Sequence, residues 1–340
     1  MKKTLLALAA LTAFAGAASA QSSVTVFGIV DLSVNQVDNG GQKMTLLSSN
    51  QLNSNRLGFR GIEDLGGGLR AGFWLEGGMN NDTGLGGNAS GGFDFARRST
   101  VSLMGNWGEV RLGRDYTATF LNKTVFDPFG TNGLGSELNL ESTLGSGAGT
   151  LVRANNMVGY FLPAMGGLYG QVQLAGGEGV TGNKYLGGRL GYAAGPINVA
   201  GAYGKTYKTG TMTADFKDIN FGASWSMGFM TIEGMYGKVD YGSADQKKAM
   251  IGVLVPMGQS TLKASYIKAS GSSDIYGATQ FAFGYQYDLS KRTALYATYS
   301  SLNNDGSAAV GGKFTVGQGP AMTKGGDTSS GYNFGMRHSF

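Results

Sequence analysis

Guanidinium groups facing a common space bind and attract anions, and this chain sets its arginines out in a pattern that would make such a space. In residues 55–62, Leu57 and Phe59 share one side of a period-two segment, which leaves Arg56 and Arg60 on the other. Residues 69–76 place Arg70 and Glu76 opposite Leu69, Ala71, Phe73 and Leu75. Residues 152–162 place Arg153, Asn155 and Met157 opposite Val158, Tyr160 and Leu162. Arg111 opposes Val110 and Leu112, and Arg189 opposes Leu190 and Tyr192. Between 96 and 104, Val101 and Leu103 put Arg98 on the polar side, while a bulge would turn Arg97 there instead. Two readings fit these arginines: solvated residues with salt-bridge partners, or a positively lined constriction selective for anions.

Strands are the elements that give this alternation. It recurs in Val24/Val26/Gly28/Val30/Leu32, Leu168/Gly170/Val172/Leu174, Ile219/Phe221/Ala223/Trp225 and Phe281/Phe283/Tyr285/Tyr287. Tight turns stand at 63–68, 105–108, 163–167, 194–196, 226–228, 256–260 and 288–292, and longer polar stretches alternate with them at 38–54, 78–95, 114–150, 176–184, 205–216, 238–247, 268–279 and 301–330. Seven hairpins with a first and a last strand make sixteen strands. Short turns on one rim and long loops on the other are the plan of a barrel in a membrane. An even count lets the ends meet and removes every sheet edge. The expected fold is therefore all-β, a 16-stranded antiparallel transmembrane β-barrel wide enough to hold a water-filled channel.

Both chain ends agree with this. Met1-Lys2-Lys3, the apolar run to Phe14 and Ala18-Ser19-Ala20 read as a secretory signal peptide over 1–20, with one barrel domain over 21–340. At the other end Tyr332, Phe334, Met336, His338 and Phe340 share the outward face of a last strand. The formal charge of +5 falls near +3 once Lys2 and Lys3 leave, and no run of basic residues marks a nucleic-acid partner. Without cysteine, neither a disulfide framework nor a thiolate metal site is available. His338, the only histidine, lies on the outward face, which argues against a catalytic triad or zinc chemistry; no enzyme activity, cofactor or metal is expected. Inward aromatics Phe27, Trp74 and Tyr296 are scattered, so a substrate-selective aromatic track is the weaker alternative to general diffusion.

The stretch 114–150 is the longest between clear strands, and a barrel this wide needs a device to narrow it. Its acids Asp115, Asp127, Glu137 and Glu141, with Lys123 its only lysine, suggest an infolded acidic loop facing a basic wall. The 301–330 stretch is rich in Gly and Ser and reads as external.

Residues 54–69, SNRLGFRGIEDLGGGL, resemble the strand–turn–strand signature of the general diffusion porins of Gram-negative bacteria, especially the trimeric betaproteobacterial type. Further resemblances are 23–31 (SVTVFGIVD), 108–114 (GEVRLGR), 127–130 (DPFG), 153–156 (RANN), 289–296 (LSKRTALY) and the closing Arg337-His338-Ser339-Phe340. The resemblance implies a homotrimer in the outer membrane, in contact with outer-membrane lipid, with the third external loop inside each pore. It implies passive passage of small hydrophilic solutes and of inorganic or organic anions. It carries a basic ladder onto Arg56, Arg97 or Arg98, and Arg153, and makes Phe340 the signal read by the barrel-assembly machinery.

Overall fold

The computed structural model describes residues 23–88 and 90–340, so the signal peptide expected over 1–20 lies outside the described residues. Eighteen strand segments join in one antiparallel sheet that closes on itself. They run β1 (Ser23–Asn39), β2 (Gln42–Ser49), β3 (Arg56–Gly66), β4 (Leu69–Asn80), β5 (Leu85–Gly86), β6 (Arg98–Gly105), β7 (Gly108–Tyr116), β8 (Arg153–Phe161) and β9 (Leu168–Ala175). The second half is β10 (Tyr185–Ala194), β11 (Ile197–Thr206), β12 (Phe216–Ser226), β13 (Thr231–Tyr241), β14 (Ala244–Met257), β15 (Ser260–Gly271), β16 (Ala278–Asp288), β17 (Thr293–Asn304) and β18 (Thr328–Ser339). β2 and β3 follow one another along β1 as a single interrupted strand, and β5 is a two-residue return onto β4, so the ring has sixteen strands.

Closure is made by β1 against β18, from Ile29↔Ser339 to Asn39↔Ser329. Phe340 adds one further step: its backbone exchanges hydrogen bonds with Gly28, at 3.1 and 3.0 Å. Its ring covers Gly28 so closely that a Cβ there would stand 2.3 Å from the ring.

The sheet is apolar outside and polar inside. Val172, Leu190, Phe221, Ile251 and Phe334 are exposed on the outer face, whereas Asn35, Gln173, Asn220, Gln246, Gln280 and Ser300 are buried within. Hydrocarbon solvates the first set, and the second set would be costly to leave in lipid. A soluble sandwich would bury the apolar face instead.

All seven tight turns fall where the turn residues placed them. Two of the long stretches do not. β13 and β14 continue to a two-residue turn at Gly242, and β1 and β2 to a turn at Gly40 and Gly41; all three glycines have positive φ. The 301–330 stretch is also not purely external. Val316 is fully buried beside Leu134 and Val37, because Asn304 holds the backbone of Phe314 and bends the chain back into the barrel mouth.

Candidate constriction site

One helix, α1 (Ala118–Phe126), leaves the end of β7 and enters the barrel, and the chain returns to β8 through a short 3-10 turn at Glu137–Leu140. Inner-wall glycines make room for it. A Cβ on Gly222 of β12 would lie 2.0 Å from the Phe126 ring, one on Gly252 of β14 2.2 Å from Pro128, and one on Gly284 of β16 2.9 Å from Phe129. Polar wall residues then grip the segment: Asn122 donates to Asn220 (2.8 Å), Arg189 donates to Asn122 (2.8 Å), and Gln280 donates to the Ser136 carbonyl (3.1 Å). Arg189 therefore faces inward as its phase requires, but onto the loop.

Three of the four acids, Asp127, Glu137 and Glu141, do not confront the basic wall, which corrects the expectation for those three; Asp115 alone meets it. Asp115 lies on β7, where Arg111 (2.6 Å) and Arg98 (3.6 Å) enclose it. Asp127 is buried and accepts backbone N–H bonds from Phe129, Thr131 and Glu137 at 2.9–3.1 Å, so it shapes a turn. Glu137 pairs with Lys248 of β14 at 2.5 Å. Glu141 joins the same Lys248 and also Lys123 (2.8 Å), which reaches on to Asp218 of β12 (2.9 Å). These five side chains form one buried ion network that fastens the loop to the wall away from the arginines. Burial would raise Glu141, but Lys123 and Lys248 outweigh it and hold its pKa at about 2. Burial pushes the Lys123 ammonium down, yet Asp218, Glu141 and Glu137 lift it above its usual value. For Glu137 and Asp127 desolvation wins, and both carboxyls are raised.

Across the opening, the basic wall assembles around Tyr116. Arg97 and Arg153 each donate to its hydroxyl at 2.9 Å, Arg153 lies over its ring at 4.4 Å, and the ring stacks on Phe120 of α1. Arg56 and Arg97 both reach Glu76, at 3.4 and 2.7 Å. Arg114 donates to Asn155 and to the Ala96 carbonyl. Arg97, Arg114 and Arg153, with loop residues Thr131–Gly133 opposite, line a recess of about 420 Å³.

Arg97 and Arg98 both face inward, at different levels. Arg98 is the cross-strand neighbour of Glu76 and lies over Trp74 at 4.5 Å. Arg97 precedes the strand and turns into the Arg56–Arg153 group. Below them Phe27 and Trp74 are 5.0 Å apart, with Arg60 over both rings, so these two aromatics are a cluster and not scattered.

Arg114 and Tyr116 were missed by the alternation. A register shift between Gly113 and Asp115, with Gly113 at φ +125° and Asn156 at φ 54° beside it, breaks the period and re-aims the residues that follow. The paired positive-φ residues have no period-two signal; only Gly113 within a strand hinted at a bulge.

Comparison with known proteins agrees with this architecture. Residues 7–307 match the family model described as Gram-negative porin. The chain is 38% identical to outer membrane porin protein 32 of Delftia acidovorans, over the whole of both chains. It is 30% identical to an outer membrane porin protein of Bordetella pertussis, covering 92% of this chain and 98% of that one. Among solved structures, the anion-selective porin from Comamonas acidovorans superimposes with a TM-score of 0.83 at 33% identity, covering 94% of this chain and all of that one. A sixteen-stranded barrel with an apolar outside, an infolded loop and these relatives is a multi-pass outer-membrane protein, and the chain belongs to the Gram-negative porin family.

Proposed function

We propose that this porin is a passive, water-filled, anion-preferring channel whose basic wall is formed by Arg56, Arg97, Arg98 and Arg153, joined by Arg114. One observation carries this reading. The five guanidinium groups of the wall outnumber the carboxylates beside them, Glu76, Asp115 and the nearby Asp94, while the loop acids Glu137 and Glu141 are taken up by Lys248 and Lys123. The narrowest part of the path therefore keeps a positive surplus, and charge there outweighs net charge elsewhere. The Comamonas relative is described as anion-selective, which supports the same sign.

Small hydrophilic solutes and inorganic or organic anions pass by diffusion, with no cofactor and no catalytic step. The chain assembles as a homotrimer, and Phe340 is the residue the assembly machinery reads. Liposome swelling tests the permeation claim: small anions enter faster than neutral solutes of equal size. Equal rates would leave a porin without a functional basic wall.

A further inference from the structure

We propose that the lumen carries a holding site for an organic carboxylate with a compact apolar body, on the short-turn side of the constriction. The proposal deepens the reading above and rests on it, since it takes the lumen as an open path for anions. Its first element is Arg60, four residues along β3 from Arg56, or about 13 Å of strand toward the turn into β4. The Arg60 side chain is exposed to the lumen and has neither a hydrogen bond nor a carboxylate partner among the described residues. Its guanidinium lies over the rings of Phe27 and Trp74, at 5.3 and 5.1 Å. Such contact with aromatic faces fixes the group and leaves its N–H donors free, ready to take a carboxylate in two parallel bonds.

The neighbouring arginines are committed to the protein. Arg111 donates to Glu109 at 2.8 and 3.0 Å and to Asp115 at 2.6 Å. Arg98 lies over Trp74 at 4.5 Å, donates to the Thr100 hydroxyl at 3.1 Å and stands 3.6 Å from Asp115. Arg60 is therefore the guanidinium of this group that is open to a ligand.

Beside Arg60 the inner face turns apolar. Ile62 follows Arg60 on the inward phase, and its side chain is half exposed to the lumen. It pairs with Gly72 of β4, and Met104 of β6 reaches over the same glycine. A Cβ on Gly72 would lie 2.9 Å from Met104 Cε and 3.8 Å from Ile62 Cγ1. Bare backbone with two apolar side chains converging on it forms one flank of a recess of about 420 Å³, and Arg60, Trp74, Arg98 and Arg111 line the remainder. An apolar body laid against Ile62 and Met104 removes their surface from water while its carboxylate reaches Arg60. A small inorganic anion uses only the second contact.

The test uses the full channel in planar bilayers, reading chloride conductance while benzoate, acetate or benzyl alcohol is added on the short-turn side. Benzoate should half-block at a concentration at least about tenfold below that of acetate, and benzyl alcohol should not block. I62S/M104S should erase the difference between benzoate and acetate while the reversal potential in potassium chloride stays chloride-favouring, which reports an intact channel. R60Q should raise the half-blocking benzoate concentration at least about tenfold. Equal block by benzoate and acetate in wild type, or benzoate block that both variants leave unchanged, overturns the proposal. Block by benzyl alcohol equal to that by benzoate would reduce the recess to an apolar patch and overturn it as well. A chloride-favouring wild type that benzoate does not block overturns the holding site alone. A wild type without chloride preference, in which benzoate block still depends on Arg60 and on Ile62 with Met104, overturns the anion-preferring channel and supports the site.

Discussion

Arg97 and Arg153 donate to a single phenol oxygen, that of Tyr116, each at 2.9 Å. Two like-charged groups are thereby held side by side without a carboxylate between them. Arg153 also donates to the Arg97 carbonyl at 2.8 Å, so the backbone of one positions the side chain of the other. Tyr116→Phe removes the shared acceptor and leaves both charges. Hydrogen bonds to charged groups are worth about 1.5–3 kcal/mol, so the guanidiniums should become mobile. Single-channel recordings should show larger open-state fluctuations with the anion preference intact. Loss of that preference in Tyr116→Phe would mean that the hydroxyl, and not the arginines, sets it.

Glu76 is the carboxylate that both Arg56 and Arg97 reach. Glu76→Gln should therefore strengthen anion preference. A unit charge at 4 Å in water is worth about 1 kcal/mol, which is about fivefold in permeability ratio. The reversal potential in a salt gradient measures it, and a shift toward cations would contradict the placement of this group.

The ion network makes the loop sensitive to which acid is removed. Glu141 touches both lysines, whereas Glu137 touches Lys248 alone and burial raises its carboxyl. Removing one partner of a buried pair costs about 3–5 kcal/mol. Glu141→Gln should therefore release the loop more than Glu137→Gln, seen as higher conductance and faster cleavage of the loop by protease. The pH dependence has a definite sign. A carboxyl lowered to about 2 contributes stability above its unfolded value near 4.5, and that contribution fades as pH falls from 4.5 toward 2. Glu137, raised by burial, works the other way, since its protonation relieves a cost. Loop protection attributable to Glu141 should hold from pH 7 to about 4.5 and decline below; protease protection against pH tests this, and the decline should be absent in Glu141→Gln.

The glycine seats give a test of packing. A methyl group on Gly222 would have to displace the fully buried Phe126 ring. Overpacking costs about 1–3 kcal/mol, and α1 can yield because only its own contacts resist. Gly222→Ala should fold as a barrel with normal heat-modifiable mobility and an altered single-channel conductance. Unchanged conductance would show that α1 does not bound the opening.

Much of this architecture was legible from Phe59, Phe221 and Phe283 on one phase and Arg56, Asn220 and Gln280 on the other. In a barrel the phase states which solvent each side chain meets, and turn residues bound each strand. What stayed hidden depended on depth and on partners far along the chain. Acidity in the loop said nothing about direction: Glu137 and Glu141 meet Lys248, more than a hundred residues away. Arg114 lies in a bulge that resets the phase, and Tyr116 lies just beyond it. Val316 folds into the mouth through Asn304, a long-range contact that Gly- and Ser-rich composition conceals.

Selectivity set by the arginine wall is best tested by the reversal potential of the purified channel in a planar bilayer across a potassium chloride gradient, for wild type and for R56Q/R153Q. Wild type should show discrete conductance steps with a chloride-favouring potential, and that potential should move toward zero in the variant. A potassium-favouring potential in wild type, or an identical chloride preference in both, would contradict control by these arginines.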